Sequence, residues 1–328
     1  MTGRTAGGVR RGRGGRVRRA LAAAVVLAGV AAVAGGAVPE QTGAGDGAPA
    51  AAAGADPDRR REDTSPPAPT TSPAPPGDPL AAPAPSRPAD ALAEAAARAR
   101  RITDRTTEWA SFTLVDRATG RTVGDSRAAQ RTNVESVVKA WLAADLLATA
   151  ERAARQLTAY ERGRMATMLR DSDDDDAEVI WRQLGGDSSI RRMISTCRMT
   201  DTTVYPEMWS LTQISPRDMA RLGSCLVPGP GRLLSARTGR ELLGLMRTVS
   251  RSDAFGIPEA QPAGAGVPVA VKNGWTEHGG AGRWNVNCLA MWGEDLRWVL
   301  AVAVRYPTPR GLAYGAGICR RVTDALFP

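Results

Sequence analysis

Arg283–Tyr306, RWNVNCLAMWGEDLRWVLAVAVRY, reads as two long strands joined by a Gly293-Glu294-Asp295 turn, and what flanks this pair decides the fold. A third strand is expected just before it, at Val267–Asn273, and a helix just after it, from Arg310 to Leu326. Further back stands another helix, Ala89–Arg101, followed by a hairpin of Trp109–Asp116 and Thr122–Ser126 turned by Ala118-Thr119-Gly120-Arg121. Everything between the hairpin and the last three strands has helical spacing. Val138, Trp141, Leu142, Leu146 and Ala150 mark a helix over Val134–Leu157, and Thr158 with Glu161 forms a capping box for one reaching Leu169. More helices follow at Ala177–Leu184, after Asp187, after Ser215-Pro216 and from Ser235 to Arg247. Such a segregated order predicts an α+β fold: a five-stranded antiparallel sheet flanked by the terminal helices, with an all-helical lobe inserted after the second strand.

The folded region expected from this order is residues 89–328, with its helical lobe at about 134–250, and it is long enough for a substantial core. Ahead of it, seven arginines between Arg4 and Arg19 precede an uncharged run, Ala20–Val38, that ends in small residues. Residues 1–38 therefore read as an export signal or as an uncleaved membrane anchor, the run being close to a bilayer span. The pair Arg18-Arg19 hints at twin-arginine export, and no nearby cysteine offers a site for lipid attachment. Residues 39–88 are rich in Pro, Ala, Gly, Ser and Thr without a periodic apolar face, the composition of a disordered linker. A secreted or cell-wall-associated protein is expected, touching membrane only through its N-terminal segment.

The formal net charge of +9 is partly a property of that leader, since residues 1–88 carry eleven arginines against seven acidic groups. Aromatics are few and no basic stripe interleaves with them, so the sequence argues against a nucleic-acid module. All four cysteines lie in the folded region, and an oxidising compartment permits them to pair. Cys197–Cys225 between neighbouring helices and Cys288–Cys319 between a strand and the last helix are the favoured pairs, with buried free thiols as the alternative.

Only two lysines, Lys139 and Lys272, stand against 41 arginines. Arginine cannot surrender its proton in a protein, whereas a buried lysine can be tuned into a neutral base. Lys139 closes Ser136-Val137-Val138-Lys139, where three-residue helical spacing lets its amine reach the Ser136 hydroxyl. With Ser136 at a helix N-terminus, the local dipole and backbone N–H groups favour an oxyanion beside it. Ser172-Asp173-Asp174 falls in a polar break between helices, where its bland role is to cap the next helix; the acidic run lacks the glycine and spaced oxygens of a familiar calcium loop. Lys272-Asn273-Gly274 ends the expected strand at Val267–Asn273, with Gly274 allowing close backbone approach.

These three motifs, in this order, resemble those of the serine β-lactamase and penicillin-binding-protein superfamily, closest to the class A β-lactamase-like serine hydrolases of actinobacteria. The resemblance implies Ser136 as acylated nucleophile, Lys139 as general base, Ser172 as proton relay to the leaving nitrogen and Lys272 as carboxylate-binding partner. It further implies an oxyanion hole from the N–H groups of Ser136 and Trp275, with Asp174, Asn273 and Gly274 also lining the substrate. No cofactor or metal is implied. The implied partners are a peptidoglycan stem peptide ending in D-alanyl-D-alanine or a β-lactam, met by a monomer.

Three departures qualify that expectation. Asp174 stands where asparagine is usual, so an anion faces the substrate and draws protons onto the lysines. Asn273 replaces Thr or Ser, though its amide can still donate a hydrogen bond. The glutamate that activates the deacylating water has no clear counterpart; Glu207, in Tyr205-Pro206-Glu207-Met208-Trp209, is the nearest candidate base. His278, the sole histidine, is expected in a loop after the strand, where a Ser-His-Asp arrangement depends on it alone, and Glu135 is read as first-turn charge. Two functions remain open: an exported serine hydrolase or acyl transferase working through an acyl-enzyme, and a catalytically weak or silent protein that binds cell-wall peptides.

Overall fold

The computed structural model describes residues 88–328 apart from residues 107 and 265. The leader expected over 1–38 and the linker over 39–88 lie outside these, save for Pro88, which already opens a helix. The chain runs α1 (Pro88–Arg105), β1 (Trp109–Asp116), β2 (Arg121–Gly124), β3 (Thr132–Asn133), α2 (Val138–Arg152), α3 (Ala159–Arg170), α4 (Asp174–Gln183), α5 (Asp187–Thr196), β4 (Gln213–Ile214), α6 (Pro216–Cys225), α7 (Ala236–Met246), β5 (Ala270–Val271), β6 (Gly274–His278), β7 (Arg283–Trp292), β8 (Trp298–Pro307) and α8 (Gly311–Leu326).

The main sheet is antiparallel in the order β2-β1-β8-β7, and the free edge of β7 is covered by β5 and β6 placed end to end. It is thus five positions wide, as expected, with the fifth position broken at Lys272-Asn273. The strand expected at Val267–Asn273 is corrected here: pairing starts only at Ala270, after Pro268, which has no N–H to give to a ladder, and resumes at Gly274 to include His278. His278 therefore belongs to a strand rather than a loop. A further two-residue ladder, β3 with β4, was not legible beforehand and ties the approach to α2 to the start of α6.

Period-2 alternation gives the sheet two apolar faces. Phe112, Leu114, Val286, Cys288, Leu300, Val302 and Val304 pack toward Ala99 of α1 and Ile318 and Val322 of α8. On the opposite face Leu289, Met291, Val299, Ala301 and Ala303 meet the cluster built from α2 to α7. Every residue from Val138 to Ala148 in α2 is buried, so this helix runs through the lobe rather than over it. It is shorter than the expected Val134–Leu157, because Glu135–Val137 forms a 3-10 turn and the helix stops at Arg152.

The caps hold as the sequence suggests. Thr158 and Glu161 form a reciprocal capping box on α3, and the hydroxyls of Ser215 and Ser235 accept the third backbone N–H of α6 and α7. Cys197 bonds to Cys225, linking the end of α5 to the end of α6, and Cys288 on β7 bonds to Cys319 on α8. Each closes a span of about thirty residues, worth roughly 3.5 kcal/mol of unfolded-state entropy in the chain-closure estimate.

Candidate active site

Ser136 sits in the 3-10 turn that feeds directly into α2, and among the described residues no group hydrogen-bonds its hydroxyl. One turn on, Lys139 is fully buried and donates to the Ser172 carbonyl at 2.6 Å and to Asp174 Oδ1 at 2.5 Å. Lys272, also fully buried, donates to the Ser172 hydroxyl at 2.9 Å and to the carbonyl of Asn273 at 2.8 Å. Ser172 thus bridges the only two lysines of the chain, its carbonyl to one and its hydroxyl to the other. It does so from a left-handed conformation, φ 53°, which aims both groups inward from the turn between α3 and α4. The acidic run divides its work: Asp173 caps α4 through the N–H of Asp176, Asp176 pairs with Arg164, and Asp174 reaches Lys139.

Burial strips both ammonium groups of water and lowers their proton affinity. For Lys139 that burial outweighs the opposing pull of Asp174, leaving its pKa below the ordinary lysine value. For Lys272, burial and then the nearby charge of Lys139 bring the pKa down to about 7. Asp174 is unlike the lysine it holds, with its side chain 77% exposed at the mouth of the site.

Gly274 supplies the other wall. A β-carbon placed there would lie 2.7 Å from the backbone nitrogens of both Ser136 and Val137, so only glycine lets strand β6 run against the N-terminus of this turn. Trp275 follows, half-buried, edge-on to Phe255 with ring centroids 5.2 Å apart, and Lys272 Nζ lies 6.0 Å from its ring. Asn273 does not face the cleft: its buried amide donates to the carbonyls of Asp253 and Phe255, pinning that loop to the broken strand. Its expected contact with substrate is therefore corrected to a structural one.

Glu207 is likewise not brought to the site. It lies on an exposed turn at φ 59°, its N–H held by the Asp187 carboxylate. From the same stretch it is Trp209 that reaches inward, its ring centroid 5.3 Å from Lys139 Nζ and its indole N–H donating to Glu178. Expecting a carboxylate in this stretch hid the aromatic.

Glu135 is not a solvated first-turn charge either. It is buried, with Oε2 accepting from the Thr276 hydroxyl at 2.6 Å and Oε1 meeting His278 Nε2 at 2.8 Å and the Asn285 amide at 3.2 Å. His278 Nε2 also lies 3.2 Å from Asn133 Nδ2; its partners are Glu135 and Asn133 rather than Ser136, so no Ser-His-Asp arrangement forms. Asn287 donates to the carbonyls of Asn133 and Val134. The signal for this cluster was present in β7: Asn285 and Asn287 alternate onto the face where Leu289 and Met291 enter the lobe core, two amides where apolar side chains belong.

Comparison with known proteins gives the family and the fold. Residues 162–326, half of the chain, match the family model of the β-lactamase enzyme family (Beta-lactamase2), a span that includes Ser172 and Lys272. The protein named "Putative lipoprotein LppW" from Mycobacterium tuberculosis and Mycobacterium bovis is 30% identical over 171 residues, 50% of this chain, and the chain spans about half the length, 53%, of these relatives. Among solved structures, the β-lactamase of Desulfarculus baarsii superposes with a TM-score of 0.53 at 19% identity, covering 72% of this chain and 98% of its own. That of Sphaerobacter thermophilus gives 0.56 at 18% identity over 71% and 95% of the two chains. That of Streptosporangium roseum gives 0.55 at 17% over 71% and 97%. The fold is that of the serine β-lactamases, and the chain belongs to the β-lactamase enzyme family.

Proposed function

We propose that this protein is an envelope-located serine acyl-transfer enzyme that reacts with D-alanyl-D-alanine peptides or β-lactams and releases its acyl-enzyme slowly. The observation that carries this reading is Ser172, whose carbonyl and hydroxyl join two buried lysines beside a serine with an unencumbered hydroxyl. Ser136 Oγ attacks the carbonyl carbon as Lys139, in its neutral form, takes the hydroxyl proton; the N–H groups of Ser136 and Trp275 receive the oxyanion. Collapse breaks the C–N bond, and the proton passes through the Ser172 hydroxyl to the leaving nitrogen. Lys272, in its ammonium form, holds the substrate carboxylate. Hydrolysis of the resulting ester needs a group to activate water, and Glu207 is on the surface while Trp209 lies beside Lys139. The two lysines meet at Ser172 while Glu207, the candidate deacylation base, stands on the surface, and this supports a peptidase-like or penicillin-binding role, as a monomer, over an efficient lactamase.

The arginine-rich leader and the name of the mycobacterial relative both favour an envelope or secreted location. The contact between Asp174 and Lys139 favours a second reading, a silent binder of cell-wall peptides. Incubation with a fluorescent penicillin separates the two. A covalent band that persists for minutes and vanishes in Ser136→Ala is expected; no band at any concentration sinks the enzyme reading for lactams, and turnover without a band restores the lactamase.

A further inference from the structure

We infer that Glu135 is a positioning residue whose buried carboxylate clamps the nucleophile turn to the sheet edge and so fixes the oxyanion-binding N–H pair. The inference rests on the acyl-enzyme reading but is carried by a separate set of contacts, none of them shared with the lysines.

Glu135 immediately precedes Ser136 and holds φ at 50°, a left-handed conformation that a glutamate adopts only under constraint. The constraint is visible in its side chain. Thr276 and His278, two apart on β6, share one face of that strand, and Asn285 is the direct cross-strand partner of Thr276 on β7. All three converge on the one carboxylate. His278 Nε2 stands between two partners, Glu135 Oε1 at 2.8 Å and Asn133 Nδ2 at 3.2 Å, and so ties the carboxylate to the segment before it. Burying a carboxylate away from water is costly unless its oxygens are satisfied, and here both are.

Two further contacts extend the clamp along the same face. Asn287, two residues on from Asn285, holds the carbonyls of Asn133 and Val134, and Gln213 donates to Asn133 at 2.6 Å. Asn287 is also the cross-strand partner of Gly274, the residue whose bare backbone lies against the nitrogen of Ser136. The three residues before the nucleophile are therefore bonded to β6 and β7 at successive register positions, and the gap between the Ser136 N–H and the backbone at Gly274-Trp275 is set by those bonds. None of these groups is used in the proposed proton transfer.

The test is Glu135→Gln in the full chain, because an amide of the same size keeps one acceptor oxygen where the carboxylate has two, each of which meets a donor. Acylation by a fluorescent penicillin is followed over time across concentrations, alongside hydrogen exchange of the segment 133–138 and the melting temperature. The acylation rate constant at saturating lactam should fall at least about tenfold, short of the 10²–10³ seen when an oxyanion donor is deleted outright. The half-saturating concentration should move less than about threefold, and exchange of Ser136 and Val137 should rise. A folded Glu135→Gln protein with unchanged rate constant and unchanged exchange overturns the inference. So does a loss in which melting temperature, exchange everywhere and both kinetic parameters degrade together. Should Glu135→Gln fail to fold, Thr276→Val removes one donor and should give the same pattern at about threefold; unaltered acylation there overturns it. If wild-type protein is not labelled, the acyl-enzyme reading falls by itself, and local exchange decides for or against the clamp.

Discussion

The two sides of Ser136 are built on opposite principles. In front, two buried lysines share one serine, and among the described residues the carboxylate hydrogen-bonded to them is that of Asp174, which stands mostly in water. Behind, one buried carboxylate is held by Thr276, His278 and Asn285 on the sheet edge. A cation that must exchange its proton cannot be over-stabilised, so the front leaves lysine pKa values low and a hydroxyl free. A carboxylate that only holds position has no such restriction and can accept every bond available. The contrast separates groups that move protons from groups that set distances.

The sharpest way to break that separation is at Gly274, where front and back meet. Gly274→Ala places a β-carbon 2.7 Å from two backbone nitrogens that have no flexible side chain to yield. The turn must shift off β6, and the rate of lactam labelling is expected to fall about a thousandfold, the upper range for losing an oxyanion donor. The melting temperature should change far less, since α2 keeps its core. Labelling within tenfold of wild type would show that the N–H of Ser136 does not serve the oxyanion.

A second test addresses the claim that the front cations are held near neutrality. Lys272 binds its proton with a pKa of about 7, against an ordinary value of 10.5. Between these values the unfolded chain carries a proton that the folded one lacks, so stability rises with pH through this window and is lowest below about 7. From pH 7 to 9.5 the rise attributable to this group is on the order of 3 kcal/mol. Thermal melts across that range should show it in wild type and not in Lys272→Met. Parallel curves for the two proteins would mean that Lys272 is charged throughout and that only its geometry matters.

What the sequence disclosed differs between these two sides. The lysines were legible because the chain avoids lysine elsewhere, and the helix of Lys139 followed from periodicity, whereas the strand expected through Asn273 is interrupted and leaves Lys272 between β5 and β6. The segregated order of elements gave the fold, and the caps at Thr158, Ser215 and Ser235 marked helix starts well. The back cluster was illegible because its members have ordinary local readings: Glu135 as first-turn charge, His278 as loop. Their actual roles depend on register across β6 and β7, a non-local property that no window of sequence contains. Trp209 was missed for a related reason, since it reaches Lys139 only through the turn that carries Glu207 outward.

The remaining prediction concerns Asp174, the one solvent-facing member of the front. Its carboxylate touches Lys139 and not Lys272, so it favours the proton on the amine that has to accept one from Ser136. The charge kept there then lowers the proton affinity of Lys272, which has to stay charged to hold a carboxylate. Both effects place the proton on the wrong lysine. Asp174→Asn weakens the bias: Lys139 loses a hydrogen bond and a charge that both raise its pKa, whereas Lys272 loses only a smaller through-space attraction. A shift of one pKa unit corresponds to tenfold, so second-order acylation by a fluorescent penicillin is expected to rise about tenfold near pH 7. A fall instead would mean that Lys139 works as a cation and that Asp174 belongs to the catalytic arrangement, which would make the front resemble the back, a charge pair kept for its geometry.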